Sequence, residues 1–425
     1  MIKRSFFGFA KPSVQYERTD IFPMLQELPA PEQVTFFVDV PYERTDRLTV
    51  KTGDTVCGGQ KIQPISDNAA YVTASVGGTI SSVFSHTGNF GRKYTAITVD
   101  VDKNASADTP SPAAGQEPSL DTIADFLQSV PGGLPQGLIK RAAALNTIVV
   151  EGADEDLLGI TRPYVVKHEM AALKKGIAVL QKVTGAKQII LTVPFSMASE
   201  GGASGATVKT LSPKYPAANP RLIARDCLGV TVPAGSSCEE AGICFISAEA
   251  VASIGKAYET GVIPNRKVIT VIKKSGEKML VSAVLGTPAE NILAACSETV
   301  KENDRFIFGG PMTGAAVFSE TYPVGVDTDI ILVQDAGSLP AVVDRSCINC
   351  GECVRICPAN VPVNILIRYL SAAQYNEAVD QCDLQSCIEC GLCAFVCPVN
   401  IPIFQYIKLG KYEFASLNTA EADDV

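Results

Sequence analysis

Cys347-Ile348-Asn349-Cys350-Gly351-Glu352-Cys353-Val354-Arg355-Ile356-Cys357-Pro358 and Cys387-Ile388-Glu389-Cys390-Gly391-Leu392-Cys393-Ala394-Phe395-Val396-Cys397-Pro398 are two copies of one pattern, C-x2-C-x2-C-x3-C-P. Three thiolates at two-residue gaps can wrap three corners of a [4Fe–4S] cubane. The fourth cannot reach the same cluster and crosses to the other one, while the proline turns the chain away. The spacing therefore predicts one cluster on Cys347, Cys350, Cys353 and Cys397, and a second on Cys387, Cys390, Cys393 and Cys357. Gly351 and Gly391 leave room for backbone amides to approach sulfur. Zinc ribbons use paired C-x2-C units rather than two such runs, which argues against zinc.

Nine of the fourteen cysteines crowd into residues 347–397. Such short gaps suit metal and make a poor disulfide framework. Cys382 lies outside both runs and reads as buried filler. Cys57, Cys227, Cys238, Cys244 and Cys296 have no metal spacing and read as core residues. The insert from Asn364 through Leu370 to Val379 is amphipathic at helical spacing, and Ile403 to Tyr412 suggests a second helix. Clusters whose irons are all held by cysteine transfer single electrons and bind no substrate. His86 and His168, the two histidines, read as structural, so no catalytic residue is expected.

The composition narrows the class. Apolar residues make up 46% of 425, enough for several cores, and the net charge of −9 argues against nucleic acid or an anionic lipid surface. The start, Met1 to Phe9, is basic then briefly apolar, too short for a secretory signal. No run of about 20 apolar residues exists to span a bilayer.

Upstream, residues 34–101 read as short strands. Leu48 to Val56 alternates and turns at Gly53-Asp54, and Val72 to Ile80 repeats the style. This pair resembles the lipoyl/biotinyl barrel-sandwich hammerhead. Ala74-Ser75-Val76-Gly77 stands where swinging-arm members carry their lysine, so a structural module is expected. Residues 102–119 have linker composition. Thr147–Val150 and Gln188–Val193 read as buried parallel strands around a helix from Met170 to Val183, giving an α/β domain. Glu200-Gly201-Gly202-Ala203-Ser204-Gly205 fits no nucleotide fingerprint and reads as a plain loop. Lys267–Val271 and Lys278–Ser282 form a hairpin across Ser275-Gly276, a helix runs from Pro288 to about Cys296, and Arg305–Phe308 is a strand leading into Gly309-Gly310-Pro311-Met312-Thr313-Gly314. That order suggests a small β-grasp module. Thr419 to Val425 reads as a frayed acidic tail.

The domain order, together with Leu211-Ser212-Pro213-Lys214-Tyr215-Pro216, the Gly309–Gly314 loop and the second cysteine motif, resembles the RnfC subunit of the Rnf-type ion-translocating electron transport complex, a ferredoxin:NAD oxidoreductase. The resemblance implies a multidomain α/β plus β chain. Its parts are a barrel-sandwich hammerhead (1–101), a linker (102–119), a complex I flavoprotein-like α/β domain (120–262), a β-grasp domain (263–338), an α-helical dicluster ferredoxin domain (339–414) and an acidic tail (415–425). It implies a peripheral subunit on the cytoplasmic face of the cell membrane. Its partners would be integral-membrane and ferredoxin-like subunits and a soluble electron donor or acceptor. In the family the α/β domain holds FMN and meets NADH. Here the flavin loop is replaced by Val130-Pro131-Gly132-Gly133-Leu134-Pro135-Gln136-Gly137, the acidic-Cys-acidic-Pro stretch by Ala153-Asp154-Glu155-Asp156-Leu157, and the residues after Lys-Tyr-Pro by Ala217-Ala218-Asn219-Pro220. Pro131 and Pro135 lack the amides such a loop turns toward phosphate. The expectation is therefore a one-electron relay carrying two [4Fe–4S] clusters, without FMN or NADH. The alternatives are an FMN-dependent NADH:acceptor oxidoreductase and a cobalamin-reductase-like microcompartment protein.

Overall fold

A computed structural model describes residues 12–18, 21–42, 48–66, 68, 70–103, 117–339 and 345–423. The basic start at Met1–Phe9 and most of the 102–119 linker lie outside the described residues.

The first element, β1 (Leu25–Glu27), belongs to a sheet formed much later in the chain. The next six strands are β2 (Gln33–Val38), β3 (Thr55–Val56), β4 (Lys61–Ile62), β5 (Val72–Thr73), β6 (Gly78–Thr87) and β7 (Lys93–Val101). They form a four-stranded sheet, β2-β7-β6-β3, and a two-stranded one, β4-β5. Alternation puts Val34, Phe36, Val38, Ile80, Ile97 and Val99 into one core. Gly78 allows its strand to close, since a Cβ there would lie 2.0 Å from the Asp100 carbonyl oxygen. Cys57, expected in the core, is exposed: it sits in the tight turn between β3 and β4, its amide bonded to Gln60 Oε1.

Short helices α1 (Leu120–Phe126) and α2 (Gln136–Lys140) lead into a parallel sheet of β8 (Thr147–Glu151), β9 (Gln188–Pro194), β10 (Thr207–Leu211) and β11 (Ile243–Ser247). Its order is β10-β9-β8-β11. Between β8 and β9 run α3 (Thr161–His168) and α4 (Met170–Thr184), where the 3.6-residue periodicity placed a helix. The glycine cluster folds as a helical turn, α5 (Ala198–Gly201), followed by a 3-10 turn over Gly202–Ser204, rather than an open loop. The helices α6 (Pro220–Leu228) and α7 (Ala248–Thr260) flank β11, and α7 packs on α4 through Gly176 and Gly255, whose Cβ atoms would each fall 1.9 Å from a backbone carbonyl oxygen.

The last sheet contains β12 (Arg266–Ile272), β13 (Lys278–Val284), β14 (Arg305–Phe308), β15 (Ala315–Val317) and β16 (Ile330–Gln334), with α8 (Ala289–Ala295) packed on it. Its order is β1-β13-β12-β16-β14-β15, so the N-terminal β1 supplies one edge, parallel to β13. The expected hairpin turns at Gly276, where φ is +83°.

The C-terminal lobe is helical: α9 (Glu352–Ile356), α10 (Val363–Ser371), α11 (Tyr375–Cys382), α12 (Leu392–Phe395) and α13 (Ile403–Asp423). The amphipathic insert is two helices rather than one, broken at Ala373, which adopts φ +55°. The expected acidic tail is helical as far as Asp423, because α13 continues beyond Tyr412 instead of stopping there. Cys382 is fully buried among Leu366, Leu370, Leu384 and Ile407. The histidines stack on neighbouring rings, His86 on Phe37 at 4.2 Å and His168 on Tyr164 at 4.4 Å.

Candidate iron–sulfur site

The two cysteine runs fold alike. Asn349 and Glu389 adopt positive φ (+54° and +53°), as do Gly351 and Gly391 (+76° and +74°), and Asn360 and Asn400 (+57° and +52°). These turns curl each run inward. The Asn349 amide donates to Cys347 Sγ and the Glu389 amide to Cys387 Sγ, each at 3.4 Å. Such N–H groups stabilise anionic sulfur.

One cavity is lined by Cys347, Cys350 and Cys353 of the first run and Cys397 of the second. On the other side, Cys357 lies close enough to Cys387, Cys390 and Cys393 to act on their charge. The fold thus sets Cys397 on the cavity of the first three cysteines and Cys357 beside the other three. Among the described residues no three His, Cys, Asp or Glu groups converge to hold a single metal ion. Thiols ringing a cavity suit a multi-atom cluster instead. Burial pushes the Cys390 thiol up to about 12 and Cys353 up to about 11. These sulfurs ionise readily only against a nearby cation, which iron would supply if these cysteines held it.

The two halves differ in cover. Cys350 is exposed and Ile348 is 62% exposed. The second run is packed under the Gly309–Gly314 loop and the Lys214–Pro216 turn. Tyr215 Oη donates to the Cys390 carbonyl at 2.7 Å, and a Cβ on Gly391 would lie 2.4 Å from the Met312 carbonyl oxygen. Lys411 on α13 donates to the Cys387 carbonyl and to Glu389.

Behind this cover lies the C-terminal edge of the parallel sheet, where open α/β folds bind ligands. Here the 130–137 loop occupies the start of α7, beside a cavity of about 600 Å³ lined by Gln128, Leu134, Gln136, Gly309 and Val326. Gly132 sits on the N-terminus of α7, where a Cβ would be 2.4 Å from the Ala250 nitrogen, and Ser247 Oγ donates to the Gly132 carbonyl at 3.1 Å. The Gly132 amide donates to the Val326 carbonyl at 2.7 Å and the Gly133 amide to Val130 at 2.9 Å. Asp156, buried, accepts from the amides of Met312 and Thr313 and from Thr313 Oγ1, anchoring the glycine loop that covers the second run.

Lys267, with no exposed surface, pairs with Glu249 and, at 2.6 Å, with Asp329. Arg162 bonds Asp329 at 3.1 Å and stands 3.3 Å from Glu151, an ion pair by distance whose Nη1 is not aligned for a hydrogen bond. Burial tends to raise Asp329, but Lys267 and Arg162 outweigh it and hold the carboxyl below its usual range. No pattern along the chain signals this network, because Glu151, Arg162, Glu249, Lys267 and Asp329 come from five separate segments.

Fold and site together define a dicluster iron–sulfur protein with a barrel-sandwich module at its N-terminal end. Residues 346–401 match the 4Fe-4S dicluster domain family, and residues 8–104 match the RnfC barrel sandwich hybrid domain family. The chain is a homologue of the RnfC subunit of Rnf-type ion-translocating oxidoreductases. It is 24% identical to the corresponding subunit of the Na(+)-translocating ferredoxin:NAD(+) oxidoreductase complex of Acetobacterium woodii, over 74% of this chain and 76% of that one. It is 25% identical to its counterpart in the ion-translocating oxidoreductase complex of Pseudomonas aeruginosa, over 74% of this chain and 44% of that one. It thus spans less than half the length of the Pseudomonas relative. Among solved structures, an NAD+-reducing [NiFe]-hydrogenase aligns over 62% of this chain and 57% of that one at 11% identity and a TM-score of 0.44, too slight a likeness to carry an argument.

Proposed function

We propose that this chain is a one-electron relay subunit of an Rnf-like membrane complex, peripheral and on its cytoplasmic face. Cys347, Cys350, Cys353 and Cys397 would hold one [4Fe–4S] cluster, and Cys387, Cys390, Cys393 and Cys357 the other. The carrying observation is the cavity ringed by three cysteines of one run and the fourth of the other. When bound, such clusters supply single-electron transfer. The chain's own residues orient and insulate them. Amides at Asn349 and Glu389 donate to sulfur, Tyr215 and Met312 cover the second run, and the exposed first run offers the exchange face.

Partners in this reading are the integral-membrane and ferredoxin-like subunits of the complex and a soluble electron donor or acceptor. Among the described residues no helix is long and apolar enough to cross a membrane. We read the six-stranded sheet as an elaborated β-grasp and the parallel sheet as a complex I flavoprotein-like α/β domain. The domain divisions we propose lie at 101, 119, 262 and 338, with β1 lent to the six-stranded sheet and the last domain extended to the end of α13. We further propose that FMN and NADH are not bound. Support comes from the loop at 130–137, whose Gly132 and Gly133 amides are used internally, and from Gly132, which takes the helix end a phosphate would need.

Anaerobic purification with iron, sulfide and flavin assays tests this. About eight irons per chain and no flavin are expected. One tightly bound FMN would overturn the second half of the reading and favour an NADH oxidoreductase. In the variants Cys350→Ala and Cys390→Ala iron should fall and different electron-spin signals should be lost; unchanged iron in both would sink the ligand assignment.

A further inference from the structure

The C-terminal edge of β8 holds more buried acid than buried base. Arg162 is faced by Glu151, Asp154, Glu155 and Asp329, while Lys267 is faced by Glu249 and Asp329. Five carboxyls share two cations, so full ionisation would leave uncompensated negative charge in the interior. Buried groups in that position take protons instead. Asp154 Oδ2 and Arg162 Nη1 are both buried with no hydrogen-bond partner, so the cluster is also incompletely bonded.

The same cluster reaches the second cysteine run. Asn219 Nδ2 donates to Glu155 Oε1 at 2.7 Å and to the Ile388 carbonyl at 3.5 Å. Tyr16 donates to the Glu155 carbonyl at 2.9 Å, and its ring centroid lies 5.5 Å from that of Tyr215, which donates to the Cys390 carbonyl. Glu155 in turn feels the charge of Glu389, which stands between Cys387 and Cys390. In so dry a region a new charge acts over a longer distance than at the surface.

We propose that this carboxyl cluster is a redox-linked proton site, in which Glu151 and Asp154, joined through Arg162 and Asp329, take up one proton between them when an electron arrives beside Cys387, Cys390 and Cys393 and release it on reoxidation. The electron comes from a one-electron reductant and the proton from solvent, and the bond formed is a carboxyl O–H. The inference rests on the relay reading above.

The groups facing the pair set its poise. Burial pushes Glu151 up to about 7, opposed by Arg162 and assisted by Glu155 and Asp329. Burial and then Asp329 push Asp154 up to about 7, opposed by Arg162 and Lys267. The thiols of Cys238 and Cys244 also face Glu151, Tyr16 faces Asp154, and Glu249 acts through Lys267. Two buried carboxyls held above their ordinary range beside shared cations can respond to one added charge.

The test is an electron-spin-monitored redox titration of the full-length, cluster-loaded chain with dithionite, across a pH series centred on about 7. One cluster's potential should fall as pH rises. The limit is a tenfold change in its redox equilibrium per pH unit, about 59 mV for a one-electron couple. The double variant Glu151→Gln, Asp154→Asn should flatten that slope. Should the variant fail to fold, reduced-minus-oxidised infrared spectra of the wild type decide instead: a carboxyl C=O band should be gained on reduction and shift in D2O. Potentials independent of pH without that band, or a slope retained in the folded variant, would overturn the proton site and leave the relay intact. A chain that assembles no clusters would overturn both.

Discussion

Gly351 and Gly391 occupy equivalent places in the two cysteine runs and adopt nearly the same conformation, φ +76° and +74°. Replacing either with alanine forces an L residue into the left-handed region, at about 1–2 kcal/mol. There the equivalence ends. A Cβ on Gly351 meets nothing within 4 Å, whereas one on Gly391 falls 2.4 Å from the Met312 carbonyl oxygen. That contact is with backbone, and Met312 is held in turn by Asp156, so the loop cannot step aside cheaply. Overpacking of this kind adds about 1–3 kcal/mol. Gly391→Ala should therefore be less stable than Gly351→Ala by about 1–3 kcal/mol. Anaerobic urea unfolding, followed by bleaching of cluster absorption, reads the difference. With a slope of roughly 1–3 kcal/mol per molar urea, the two midpoints should separate by about 1 M. Coincident midpoints would refute the idea that the Gly309–Gly314 loop is docked on the second run.

Further outcomes follow from the buried polar groups. Asp156→Ala leaves the amides of Met312 and Thr313 without their acceptor; it should destabilise by about 3 kcal/mol and increase hydrogen exchange at those two amides. Lys267→Met strands Glu249 and Asp329 in the interior and should reduce stability by about 3–5 kcal/mol, measured by denaturant unfolding of the α/β region. Glu151 and Asp154 have folded values raised to about 7 from an ordinary 4.5 and 3.8, so the native state binds more protons than the unfolded chain between those limits. Their contribution to stability is full at low pH and lost as pH rises through about 7. Glu151→Gln should remove part of that fall, read as unfolding midpoints across a pH series.

Local order made much of this protein legible. The cysteine steps carry their meaning within a dozen residues, because three thiolates at two-residue gaps have one geometric use. Strands 147–150 and 188–193 and the helix between them could be read because their apolar runs have the right period and length. The hairpin at Ser275-Gly276 announced itself through turn chemistry. Misreadings came where a local signal was incomplete. Ala373 breaks the insert helix without a glycine or proline to mark it, the tail looks frayed by charge yet continues α13, and Cys57 looks like a small core residue but falls in a turn.

Sequence alone carried the reading of a dicluster iron–sulfur chain and the proposed crossed grouping of the eight cysteines, since both rest on spacing along the chain. Tertiary structure alone decided which run is exposed and which is covered. It also placed β1 on the edge of a sheet more than 200 residues downstream, parallel to β13. It brought Glu151, Asp154, Arg162, Glu249, Lys267 and Asp329 together at the C-terminal edge of the parallel sheet. Charges scattered over separate strands, helices and loops show no periodicity. Their meaning depends on burial and on mutual distance, which exist only once the chain has folded.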